Sequence, residues 1–122
     1  MNAGEKLGRY AEGWTKGDAE IILSAASETF TFDDPNAGVI TRENFTEHLA
    51  GLREVVAAAR GGEVGEVVRE LTELLTAEAD GVLSASCWYA IPGTDIQGGG
   101  LIKVGSNGVD SERITYYTKL PE

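Results

Sequence analysis

The chain has one cysteine, one histidine, one methionine and three prolines among its 122 residues, and each scarcity closes off a class of protein. A lone Cys87 has no intramolecular partner, so no disulfide framework holds the fold. His48 and Cys87 stand 39 positions apart and form no recognisable ligand spacing, which argues against a metal site. Positive charge is also in short supply. Lys and Arg total 10 against 20 Asp and Glu, and a net charge of -10 repels phosphate backbones and anionic head groups. Neither nucleic acid nor a membrane is therefore an expected partner. No apolar run approaches the roughly 20 residues needed to span a bilayer. No charged-then-apolar leader opens the chain, so a cytoplasmic location is the expectation. Repeats, linkers and low-complexity segments are missing too, and residues 1–122 read as one domain, long enough to bury about two-thirds of its unfolded surface without a staple. Gly61-Gly62 with Gly65 lacks the Lys-Ser/Thr of a phosphate loop.

What is present is a change of periodicity along the chain. From Ala3 to Thr15, Leu7, Tyr10, Ala11 and Trp14 recur at the spacing of one apolar, aromatic helix face. Lys16-Gly17 ends this helix, glycine being free to take positive φ, and Asp18 caps a short second helix carrying Ile21, Ile22 and Ala25. Thr29-Phe30-Thr31-Phe32 alternates with period two and reads as a strand, stopped by Asp33-Asp34-Pro35-Asn36-Ala37-Gly38. Thr41 with Asn44 signals a third helix. Within it Phe45, His48, Leu49, Leu52, Val55, Val56 and Ala59 keep helical spacing up to Gly61-Gly62.

Val64 to Asp80 carries two conflicting patterns: Val64, Val67, Val68, Leu71, Leu74 and Leu75 match a helix, whereas Val67, Leu71, Leu75 and Ala77 suit a strand. Local pattern alone favours the helix. Beyond it, Val82 to Ile91, Ile96 to Val104 and Glu112 to Leu120 are β-rich runs separated by Pro92-Gly93 and Gly105-Ser106-Asn107-Gly108. Alternation puts Leu83, Ala85, Cys87, Tyr89 and Ile91 on one face and Ser84, Ser86 and Trp88 on the other. Cys87 is then a small buried hydrophobe, with no helix N-terminus or basic neighbour to make it a nucleophile. Trp88, on a polar face, is either an interface anchor or a single exposed aromatic. Tyr116 and Tyr117, being adjacent in a strand, face opposite ways. Gly98-Gly99-Gly100 marks a bulge or sharp bend that curls the sheet. Helices first and an antiparallel meander afterwards describe an α+β layer.

The opening stretch Gly8-Arg9-Tyr10-Ala11-Glu12-Gly13-Trp14-Thr15-Lys16-Gly17-Asp18, followed by Phe30-Thr31-Phe32-Asp33-Asp34-Pro35, resembles the start of the nuclear transport factor 2-like superfamily, which includes SnoaL-like polyketide cyclases and ketosteroid isomerases. The resemblance covers nearly the whole chain. It implies a cystatin-like α+β fold, in which N-terminal helices pack on a curved antiparallel sheet to form a cone-shaped pocket. It also implies that Val64 to Ala79 enters the sheet as the first long strand of the meander, against the local helical pattern. By the same resemblance Asp34 is the candidate general base and Tyr10 the candidate oxyanion donor. Asp34 equally suits a plain Asp-Pro turn, and Tyr10 a core position with its hydroxyl satisfied elsewhere. One departure is plain. Where ketosteroid isomerases carry a protonated aspartate as second oxyanion donor, this chain has Gly98-Gly99-Gly100-Leu101.

His48 falls on the inner face of the third helix and can serve as acid or base near neutral pH, or as a structural residue at the core edge. Trp14, Phe45, Leu52, Tyr89 and Ile102 are the expected substrate-binding walls of the pocket. Two function classes stay open. One is an isomerase, cyclase or hydratase that works without cofactor on a hydrophobic, ketone-like ligand. The other is a catalytically silent module that binds a ligand or a protein. In either case the resemblance implies a homodimer paired through the open sheet face.

Overall fold

The computed structural model describes residues 1–117, and its first helix starts where the sequence signals it. α1 (Ala3–Lys16) opens on a reciprocal cap: Asn2 Oδ1 accepts from the Glu5 N–H at 2.8 Å and Glu5 Oε1 accepts from the Asn2 N–H. Leu7, Tyr10, Gly13 and Trp14 form its buried face. It stops at Gly17, whose φ of 64° is left-handed. Asp18 then accepts from the Glu20 and Ile21 N–H groups and starts α2 (Ala19–Ala25). The two helices cross so tightly that a Cβ on Gly13 would meet Ile22 at 2.6 Å.

β1 (Ala26–Asp34) follows without a loop and pairs antiparallel with β2 (Gly38–Thr41), a short strand inside what reads in sequence as a stop signal leading to a helix. Val39 and Ile40 supply its β-branched character, and its two-residue core is too short to register as a period. α3 (Arg42–Ala59) then carries the chain to the far edge of the sheet, where β3 (Glu70–Ala79), β4 (Val82–Ala90), β5 (Gln97–Gly105) and β6 (Gly108–Ile114) return as an antiparallel meander. The sheet order is β2-β1-β6-β5-β4-β3. The sheet is therefore mixed. β6 lies parallel to β1 instead of antiparallel, because the meander arrives beside β1 running in the same direction. The segment expected to continue from β6 to Leu120 lies partly outside the described residues.

The disputed segment is a strand, though only from Glu70 onward. A bulge explains its helical look. Between Thr72 and Leu75 the register with β4 shifts by one residue, with Glu73 at a φ of 53°. Leu71 therefore pairs with Tyr89 on the inner face and Leu75 with Ser86 on the outer one. By contrast Gly98 to Gly100 contains no bulge, since Tyr89, Trp88 and Cys87 pair with these glycines in unbroken register. Close approach is the reason for glycine: a Cβ would lie 1.8 Å from Thr115 O at Gly98 and 2.9 Å from Glu112 Oε2 at Gly100.

The three helices cover the inner face of this open sheet. Tyr10, Trp14, Ile22, Phe30, Phe32, Phe45 and Leu49 meet Ala85, Ile102, Val104 and Ile114 in one core. Among the described residues no helix is long and apolar enough to cross a membrane.

Candidate functional site

Between α1, α3 and the inner sheet face lies a cavity of about 350 Å³, in the range typical of small-molecule sites. Its walls are mostly apolar: Trp14, Phe32, Leu52, Tyr89, Ile91, Ile96 and Ile114. Its polar groups are few, and each is fixed by a different part of the chain. They are Asp34 and Tyr116, Arg69, and Glu47 with His48 on α3.

Asp34 ends β1 and is 5% exposed. Its Oδ1 accepts from the Asn36 and Ala37 N–H groups at 2.8 and 3.3 Å, an Asx turn that closes the β1–β2 hairpin. Its Oδ2 accepts from the Tyr116 hydroxyl at 2.8 Å. Burial, then the bond and charge of Asp34, raise the Tyr116 phenol well above its ordinary value. β6 ends at Ile114, so the two tyrosines follow the strand instead of alternating within it; Tyr116, 38% exposed, reaches the cavity through Asp34, and Tyr117 is 54% exposed. His48 is half-buried, with its ring 5.9 Å from that of Phe32, and makes no hydrogen bond among the described residues.

At the cavity wall Arg69 belongs to an ion pair that the sequence did not announce. Arg69 and Glu112, 2% and 0% exposed, form two hydrogen bonds, Nη1 to Oε1 at 3.2 Å and Nη2 to Oε2 at 2.6 Å. A buried charge requires such a partner. The guanidinium lies between the Trp14 and Tyr89 rings, 4.6 and 4.4 Å from their centroids. Burial works against its charge, but Glu112 outweighs burial and leaves the Arg69 pKa raised. Arg69 reaches this position because Arg60, at the end of α3, donates to the carbonyls of Val64, Val67, Val68 and Pro92 and so pins the segment ahead of β3.

Of the residues named from sequence, Asp34, His48, Trp14, Leu52 and Tyr89 line the same cavity. Tyr10, Phe45 and Ile102 do not line it. The Tyr10 hydroxyl donates to Glu112 Oε1 at 2.5 Å, and burial, then the Glu112 charge, raise its pKa well above the ordinary phenol. Phe45 is enclosed by the rings of Trp14, Phe30 and Phe32, and Ile102 is fully buried in the sheet core. The Trp14 indole N–H is buried without a hydrogen-bond partner among the described residues. Cys87 is buried, and burial raises its thiol pKa. Among the described residues no group of His, Cys, Asp and Glu side chains is arranged to hold a metal ion.

Glu112 comes from the neighbouring strand into the space beside Gly100, and a side chain there would collide with it. Glu112 was legible only through parity, since it shares its face of β6 with Ile114.

An α+β cone with an apolar cavity between helices and sheet is the class that this geometry defines. No family model matches the sequence, and no curated protein matches it either. Solved structures do. A protein named "putative polyketide cyclase" from Xanthomonas campestris superposes with a TM-score of 0.62 at 14% identity, over 93% of this chain and 89% of that one. A second protein of that name, from Pseudomonas putida, gives 0.63 at 12% identity, over 96% and 92%. An NTF2-like protein of unknown function from Cytophaga hutchinsonii gives 0.66 at 11% identity, over 96% and 91%. The chain has the nuclear transport factor 2-like fold.

Proposed function

We propose that the protein binds a small hydrophobic carbonyl compound in this cavity and moves a proton on it without a cofactor, with Asp34 as the base. The observation that carries this is the placement of a nearly buried carboxylate in an apolar cavity of ligand size. Asp34 takes a proton from the carbon next to the carbonyl, becomes a neutral carboxylic acid, and returns the proton to the same or a conjugated carbon. The Asn36 and Ala37 N–H groups hold the carboxyl throughout, so the base needs no reorganisation during the step. His48, at the α3 side, is the second proton carrier. Tyr10 is not given its expected part, because its proton is committed to Glu112.

A panel of small cyclic ketones in deuterated water tests this, with deuterium uptake followed by proton NMR. The expected result is protein-dependent exchange that falls by roughly 100-fold or more in Asp34→Asn, in line with loss of a general base. Equal exchange by the two proteins, or none by the native one, removes Asp34 from the chemistry.

A second reading has its own support. Both Asp34 oxygens already hold hydrogen bonds, as in a residue that only fixes a loop, which fits a silent ligand-binding module. Ketone binding without exchange is its signature.

We further propose a homodimer through the outer sheet face. Leu75, Trp88 and Leu101 are exposed there around a shallow groove that Glu73 and Arg113 also line. Opposite charges on one surface allow a two-fold related copy to pair with itself.

A further inference from the structure

Arg69 is the only buried cation among the described residues, and it stands at the wall of an apolar cavity. A guanidinium has five N–H donors. Glu112 takes one from each Nη, and Arg69 makes no other hydrogen bond among the described residues. The guanidinium lies over the Trp14 and Tyr89 rings, and all three side chains line the cavity, so three N–H donors not taken by Glu112 remain on a group that borders it. Arg42 and Arg60 differ, since both spend their donors on main-chain carbonyls.

Buried donors without an acceptor are costly, and the apolar wall supplies none. Charge decides which acceptor fits. Arg69 and Glu112 cancel, and Asp34 leaves the cavity at a formal charge of minus one before a ligand arrives, with Glu47 adding another at the rim. In a low-dielectric site an anionic ligand meets that repulsion at close range, whereas a neutral oxygen takes the Arg69 hydrogen bond without it. We propose that Arg69 binds the oxygen of a neutral carbonyl or enol ligand and that the cavity selects such ligands over carboxylates of the same shape. This inference rests on the cavity being the ligand site of the proposed function, but not on Asp34 acting as a base. It assigns the acceptor-binding part to a residue of the segment between α3 and β3, whose guanidinium comes within 3.7 Å of where a Cβ on Gly100 would stand.

Three probes of one shape test it on the full chain: 2-acetylnaphthalene, its oxygen-free counterpart 2-ethylnaphthalene, and 2-naphthoate, each titrated by calorimetry. The native protein is expected to bind the ketone roughly tenfold or more tighter than the carboxylate, and to lower the ketone's infrared carbonyl stretch relative to water-free solvent. Arg69→Ala alone strands a buried Glu112, so the variant of choice is Arg69→Met with Glu112→Gln, which removes both charges and leaves Tyr10 an acceptor. In it the ketone-to-hydrocarbon affinity ratio is expected to fall by roughly tenfold and the stretch to return toward its free value. Carboxylate binding as tight as ketone, or an unshifted stretch in the native protein, overturns the proposal whether or not the variant folds. A ratio unchanged in the folded variant overturns it as well. If none of the three probes binds, the cavity is no ligand site and both proposals fall. If the ketone binds as expected but no deuterium exchanges, Arg69 stands and Asp34 as base does not.

Discussion

Three tyrosines keep their protons against unusual pressure. Burial and then the Glu112 charge raise Tyr10; burial raises Tyr89 to about 12; burial and then the Asp34 bond raise Tyr116. Unfolded phenols ionise near pH 10, so above that the unfolded chain has released protons that the folded one still holds. The stability these groups contribute is complete below about pH 10 and is lost as pH rises through their folded values. The denaturation midpoint is therefore expected to be flat from neutral pH to about 9 and to decline beyond about 10. Phenolate absorbance of the native protein should lag that of the unfolded chain over the same range, and native phenols that all ionise near pH 10 would contradict their placement. Asp34 was legible as a residue because Asp before Pro has local meaning. The Arg69–Glu112 pair was not: strand parity with Ile114 hints that Glu112 turns inward, but its pairing with Arg69, 43 positions away, is encoded by no local pattern.

Among the elements, the three helices were legible because each carries an apolar stripe with a cap or stop signal written beside it, although Thr41 makes no side-chain capping bond in α3. β3 was legible only through resemblance, since its bulge moves Leu75 to the outer face and leaves apolar residues at helix-like spacing. β5 was placed correctly, but its glycines mark no bulge, and what crowds Gly98 is the carbonyl of Thr115, a distant residue. Gly98→Ala is thus expected to cost about 2 kcal/mol or more, from overpacking against backbone. Gly8→Ala, in the exposed interior of α1 with nothing within 4 Å of the new methyl, is expected to gain about 0.5–1 kcal/mol. Urea denaturation of both variants measures the two signs. A neutral Gly98→Ala would mean that the β5 glycines do not carry the close approach.

For the whole molecule, the sequence disclosed the layering and not the closure: helices before strands give α+β, but the parallel seam of β1 on β6 joins segments that no local signal connects. The outer face left by that arrangement is where the dimer is proposed. Light scattering is expected to find two copies per particle for the native chain and one for Trp88→Glu, which buries an unpaired charge in any such interface. Because each copy carries a net charge of -10, the dimer should strengthen as salt screens the repulsion. A native monomer at all salt concentrations would exclude it.

The same seam has a consequence for biosynthesis. The Tyr10 hydroxyl meets Glu112 across 102 positions, and β1 finds its inner neighbour only in β6. On a ribosome the N-terminal helices and β1 emerge long before that neighbour exists, with Trp14, Phe30, Phe32 and Phe45 uncovered in the meantime. Contacts of such separation form late and slowly. Until β6 is made, β1 lacks that neighbour, so the sheet cannot complete before it, and the aromatic side chains of the earlier elements stay open to non-native contacts in the meantime.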